Sequence, residues 1–96
     1  MASLAPRTVR FAVHGPVDRA DLPGLSDRVC RLLDRTRPGV ALCDVATVSL
    51  DAVTVDALAR LQRAARRYGC TVRLQHASSE LLELVAFMGL EDVLPV

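Results

Sequence analysis

The rhythm of hydrophobic and polar residues changes repeatedly along the chain, and each rhythm predicts an element. Val9, Phe11 and Val13 alternate with Arg10, Ala12 and His14, the two-residue period of a strand with one buried face. Gly15 and Pro16 break that run, and Asp18 or Asp21 is placed to cap a helix beyond it. Leu22, Leu25, Val29, Leu32 and Leu33 then recur at helical spacing, with Arg28, Arg31 and Arg35 on other faces. "RPG", Arg37 to Gly39, stops that helix. "VALCDV", Val40 to Val45, is apolar without alternation until Asp44, the pattern of a central strand covered on both faces.

The stretch "TVSLDAVTVDALARL", Thr47 to Leu61, leads from a polar loop into a second helix. Asp51 is positioned as its N-cap, where a carboxylate accepts from the unpaired N–H groups of the first turn. Val55, Leu58, Leu61, Ala65 and Tyr68 form its core stripe, and Gly69 suits a left-handed stop. Cys70, Val72 and Leu74 alternate with Thr71, Arg73 and Gln75 as a third strand. Ser78 or Ser79 caps a third helix with Leu81, Leu84, Val85 and Met88 buried, and Gly89 with Leu90 predicts a Schellman ending. "EDVLPV" either forms a short edge strand or packs Val93 and Leu94 down. Strand–helix–strand units with short loops predict an α/β fold. The expectation is a single domain over residues 1–96, with a mainly parallel three- to four-stranded sheet and about three helices.

Composition narrows this reading. The chain of 96 residues is 51% hydrophobic, enough for one core, and with only Phe11, Tyr68 and Phe87 as aromatics that core must be aliphatic. All 12 basic residues are arginine, and lysine, isoleucine and asparagine are absent. The bias points to a high-GC, bacterial genome. A net charge of +1 gives no strong pull on nucleic acid or anionic lipid. No apolar run approaches the roughly 20 residues of a membrane span, and "MASLAPRTVRF" lacks the apolar core of a signal peptide. Cys30, Cys43 and Cys70 sit at apolar positions without a Cys-x-x-Cys spacing, which predicts reduced thiols in the cytoplasm and no metal or disulfide.

Enzymatic chemistry finds little to work with. His14 and His76 stand singly at strand ends, Ser78 and Ser79 read as caps, and the glycines are scattered at turns rather than gathered in a phosphate loop. No catalytic residue, cofactor or metal is expected. The exposed face of the second helix says more. Asp56, Arg60, Arg63 and Arg67 succeed one another at spacings of four, three and four, with Arg66 beside them. Such a ladder is either a solvated face with one Asp56–Arg60 pair worth a few tenths of a kcal/mol, or a docking surface for an acidic protein.

Several segments have counterparts in one family. "GPVD" at Gly15 to Asp18 resembles a Gly-Glu-Leu-Asp turn, and "VALCDV" resembles a buried strand ending in Asp-Leu. "ALARLQRAARRYGCTVRL" resembles a long helix, its glycine stop and the next strand, and "SSELLELVAFMGLEDVLPV" resembles a closing helical segment. Together, from about Val9 to Leu94, they resemble a STAS domain, the family of the bacterial anti-sigma factor antagonists. The family's functional motif is Asp-Ser-Ser-Gly at the start of the long helix, where a partner that is both anti-sigma factor and kinase phosphorylates the second serine. Counting back from Gly69 sets Asp51 on the Asp, Ala52 on the first Ser, Val53 on the phosphoacceptor and Thr54 on the Gly. A one-residue slip would set Thr54 at the acceptor.

The resemblance implies a noncatalytic regulatory module that binds a kinase-like anti-sigma factor in the cytoplasm without the usual phosphoserine switch. Its contact residues would be Ser49, Asp51, Val53, Thr54, Asp56, Arg60 and Arg63, with Thr54 or Ser49 as the remaining hydroxyls for control. Two other readings stand beside it. One is a small STAS subunit that binds the ATPase of an ABC-type lipid transporter. The other is a self-associating scaffold, a homodimer for example, that uses an edge strand and aliphatic patches.

Overall fold

A computed structural model of the chain describes residues 7–96. The expectation that no signal peptide precedes the fold falls largely on residues outside that range. Three strands, β1 (Thr8–His14), β2 (Val40–Thr47) and β3 (Thr71–Gln75), alternate with three helices, α1 (Leu22–Thr36), α2 (Ala52–Arg66) and α3 (Ser79–Phe87). A 3-10 turn at Arg19–Asp21 leads into α1. The sheet order is β1-β2-β3 and both pairings are parallel, with Val9 opposite Ala41 and Ala41 opposite Val72. The α/β class and the parallel sheet are as the sequence predicts, at the three-stranded end of the expected range.

The central place of β2 also matches, but its double cover does not. Ala41, Cys43 and Val45 are buried, whereas Val40, Leu42 and Asp44 between them are half-exposed. Successive right-handed crossovers in one direction put both intervening helices on the same face of a sheet, and α1 does pack against α2. The opposite face of the sheet therefore keeps Arg10, Leu42 and Arg73 in register toward solvent. The continuous run of apolar residues in β2 arises because Leu42 lies on that thinly covered face.

Helix boundaries track local chemistry closely. Asp51 takes the N-cap of α2 and accepts from the Thr54 N–H at 2.8 Å, and Ser78 takes that of α3 and accepts from the Leu81 N–H at 3.1 Å. For α1, Asp21 stands at the N-cap position without a side-chain cap bond; its carboxylate instead accepts from the Asp18 N–H at 3.1 Å. Gly69 (φ 69°) and Gly89 (φ 73°) close α2 and α3 in the left-handed conformation that glycine adopts without strain. The bonds Cys70 N–H to Ala65 C=O and Leu90 N–H to Val85 C=O complete Schellman endings at both. Arg37 closes α1 with φ 48°, and its guanidinium lies 5.4 Å from the Tyr68 ring centroid, tying the ends of α1 and α2.

"EDVLPV" packs down rather than forming a strand. Leu94 is buried, and the Pro95 carbonyl accepts from the Leu74 N–H at 2.9 Å along the free edge of β3. The same edge is held by Gln62 of α2, which is fully buried. Its amide nitrogen donates to the carbonyls of Val72 (2.9 Å) and Val93 (2.8 Å), and its oxygen accepts from the Val72 N–H (2.8 Å). An edge strand's unpaired backbone groups invite pairing with another chain; here they are consumed internally. No helix among the described residues is long and apolar enough to cross a membrane.

Candidate functional site

The carboxyl ends of the strands bring two loops together, as parallel α/β sheets generally do. The turn after β1 and the loop between β2 and α2 touch at Gly15. Its N–H donates to the Thr47 carbonyl at 3.0 Å, and a side chain there would place Cβ 2.3 Å from the Ser49 nitrogen and 2.6 Å from Ser49 Oγ. Only glycine permits that approach. His14 Nδ1 lies 2.6 Å from Thr47 Oγ1, adding a second tie between the end of β1 and the loop.

From this base the polypeptide rises into α2. Ser49 is half-buried against the turn, Leu50 is 53% exposed, and Asp51 is exposed while capping the helix. Ala52, Asp56, Arg60 and Arg63 continue along one outward face at helical spacing. Asp56 and Arg60 pair at 2.9 Å, Oδ2 to Nε, with both side chains in contact with solvent. Among the described residues Arg63 and Arg67 have no ion pair. Ser49, Asp51, Asp56, Arg60 and Arg63 therefore share one surface, and Val53 lies half-buried at its margin. Thr54 does not join it. Its side chain is fully buried, and its hydroxyl has no hydrogen-bond partner.

A second polar group stands on the open face of the sheet. Asp44 accepts from the Ala46 N–H at 2.9 Å and lies 3.3 Å from His76 Nδ1. The Ala46 N–H, with smaller help from His76 and His14, holds the Asp44 carboxyl below its ordinary range against an opposing effect of desolvation. Burial pushes the Cys43 thiol up to about 12, helped by the neighbouring Asp44 charge, and burial also raises Cys70. Neither thiol is poised as a nucleophile. Cys30, Cys43 and Cys70 are all free, and no cluster of metal-ligating side chains occurs among the described residues.

With this geometry in place, comparison with known families is decisive: a family model described as "Mlab, STAS domain" matches residues 1–95. The chain belongs to the STAS domain family. No curated protein matches its sequence. Membership makes the protein a regulatory, protein-interaction type of module.

Counting back from Gly69 would set the family's Asp-Ser-Ser-Gly motif on the first turn of α2. Asp51 is the N-cap, Ala52, Val53 and Thr54 are the first three helical residues, and none of them offers a hydroxyl to solvent. In either register that this count allows, the acceptor position would fall on a half-buried valine or a sealed threonine. Sequence reasoning missed Leu50 at the loop tip, and it missed Leu22 and Leu25 of α1, which flank the arginine ladder across a shallow groove. Leu50 was detectable as a large apolar residue set between Ser49 and Asp51 in the turn. The burial of Thr54 was detectable too, since it precedes Leu58, Leu61 and Ala65 by four, seven and eleven residues and so shares their stripe.

Proposed function

We propose that this STAS domain is a noncatalytic regulatory module that holds its partner constitutively through the β2–α2 loop and the outward face of α2. The observation that carries this reading is the pairing of an exposed Leu50 with a first helical turn that presents no phosphoacceptor. An apolar anchor rimmed by Asp51, Asp56, Arg60 and Arg63 has the composition of a protein contact, where a few buried anchors carry most of the energy and charges set the register. By family resemblance the partner is a kinase-like anti-sigma factor, the setting is the cytoplasm, and the outcome is release of a sigma factor.

A second reading gains from the same observation. A permanent subunit needs no phosphate switch, so the missing hydroxyls also suit a STAS subunit bound to the ATPase of an ABC-type lipid transporter. Affinity capture from cells, with identification of the protein retained, separates the two. A kinase-like partner supports the anti-sigma reading and an ABC-type ATPase supports the transporter reading. Incubation of the complex with ATP, read by intact mass, tests the constitutive contact common to both. No added phosphate is expected, and stoichiometric phosphate on Thr54 or Ser49 overturns it.

A further inference from the structure

Two surfaces of this chain are complementary to each other and cannot meet within one molecule. The first is a groove of about 530 Å³ between the start of α1 and the middle of α2. Leu22, Leu25 and Leu61 line its interior, and Arg19, Arg60, Arg63 and Arg67 stand around it. Of these four arginines, only Arg60 has an ion pair among the described residues. The second surface is the outward face of α3. Glu80, Glu83 and Phe87 succeed one another at spacings of three and four, so they form one stripe, and Phe87 is 88% exposed. Glu91 and Asp92 extend the negative charge past the end of the helix, and no basic residue lies between His76 and Val96.

The two stripes also match in length. Arg60 to Arg67 and Glu80 to Phe87 each cover about two helical turns, roughly 10 Å. The inward face of α3 is already committed, since Leu81 and Val85 are buried in the molecule's own core. That anchoring leaves the acidic face pointing away from its own groove. A fully exposed phenylalanine flanked by carboxylates is the chemistry that an apolar groove ringed by arginines selects.

We propose that the groove between α1 and α2 receives α3 of a second copy of this chain, with Phe87 as the anchor between Leu22 and Leu25. Glu80 and Glu83 then answer Arg63 and Arg67. Each copy offers one helix and one groove, so the contact is head-to-tail and extends into a ring or an open chain. Gln62 and the C-terminal segment seal the β3 edge, so this mode differs from pairing of sheet edges through β3. It goes beyond the partner reading of α2 and shares Arg60 and Arg63 with it, so a bound partner and a second copy would compete for that face.

The test uses two charge-reversed variants of the full chain, Arg63→Glu/Arg67→Glu and Glu80→Arg/Glu83→Arg. All four positions are exposed, and circular dichroism checks that each variant folds. Sedimentation from about 1 to 500 μM should show wild-type mass rising with concentration, as a small, weak interface requires. It should fall toward the 10.4 kDa monomer in roughly 0.5 M salt. Each variant alone should stay monomeric, because its helix and its groove then carry like charge. The equimolar mixture should associate again, because each variant's helix meets a groove of opposite charge on the other. Phe87→Ala should weaken wild-type association at least about tenfold. A wild-type chain that stays monomeric throughout overturns the proposal. So do variants that associate as the wild type does, which would place the contact at the β1 edge or the open sheet face.

Discussion

The two faces of α2 use polar residues in opposite ways. On its outward face, Asp51, Asp56, Arg60 and Arg63 meet solvent, and even the cap bond from Thr54 leaves the Asp51 side chain accessible. On its inward face, Gln62 satisfies three backbone groups, two on β3 and one on the C-terminal segment. The first arrangement leaves recognition groups available to another molecule. The second uses them up in the fold. One helix thus carries an open polar face and a clamp, and polarity alone does not say which a residue serves.

The clamp should be the costlier face to damage. Gln62→Leu keeps bulk but strands the Val72 N–H and carbonyl and the Val93 carbonyl, so we expect a loss of ~2–4 kcal/mol in urea unfolding. Intact stability in that variant would break the comparison, because it would make Gln62 as dispensable as the outward face. Next is Gly15→Ala at the base of the contact surface. The new methyl must displace the Ser49 backbone, with an expected loss of ~1–3 kcal/mol and amide shifts in the nuclear magnetic resonance spectrum centred on Ser49 and Leu50. Shifts confined to the turn after β1 would show that the two loops move independently.

Smaller effects sharpen the division within the first turn. Asp51→Ala removes one cap bond and should cost ~1 kcal/mol, with the thermal midpoint as the measurement. Thr54→Val removes a buried hydroxyl that has no partner, so stability should hold or rise by up to ~1 kcal/mol. The same variant should bind its partner unchanged, whereas a phosphate-controlled Thr54 would show altered regulation.

Much of the fold was legible because its signals are local. Alternation in β1 and β3, the caps Asp51 and Ser78, and the left-handed stops Gly69 and Gly89 each depend on a few neighbouring residues. The sequence did not disclose which face of β2 lies open, since an apolar Leu42 looks the same on either side and the crossover geometry decides. Nor did it disclose the Gln62 clamp, whose partners lie ten and thirty-one residues away. At the candidate site, the cap and the arginine ladder could be read from spacing. The close approach of Gly15 to Ser49 could not, because it joins segments from different strands.

The central claim is that the start of α2 is a constitutive protein-contact surface anchored by Leu50. Its most direct test is the affinity of the captured partner for unphosphorylated wild type and for the Leu50→Asp/Arg63→Glu variant, with urea midpoints measured in parallel. Both side chains are exposed, so stability should hold to within ~0.5 kcal/mol while affinity falls at least about tenfold. Equal affinity for the two proteins would place the partner elsewhere on the molecule and contradict the account.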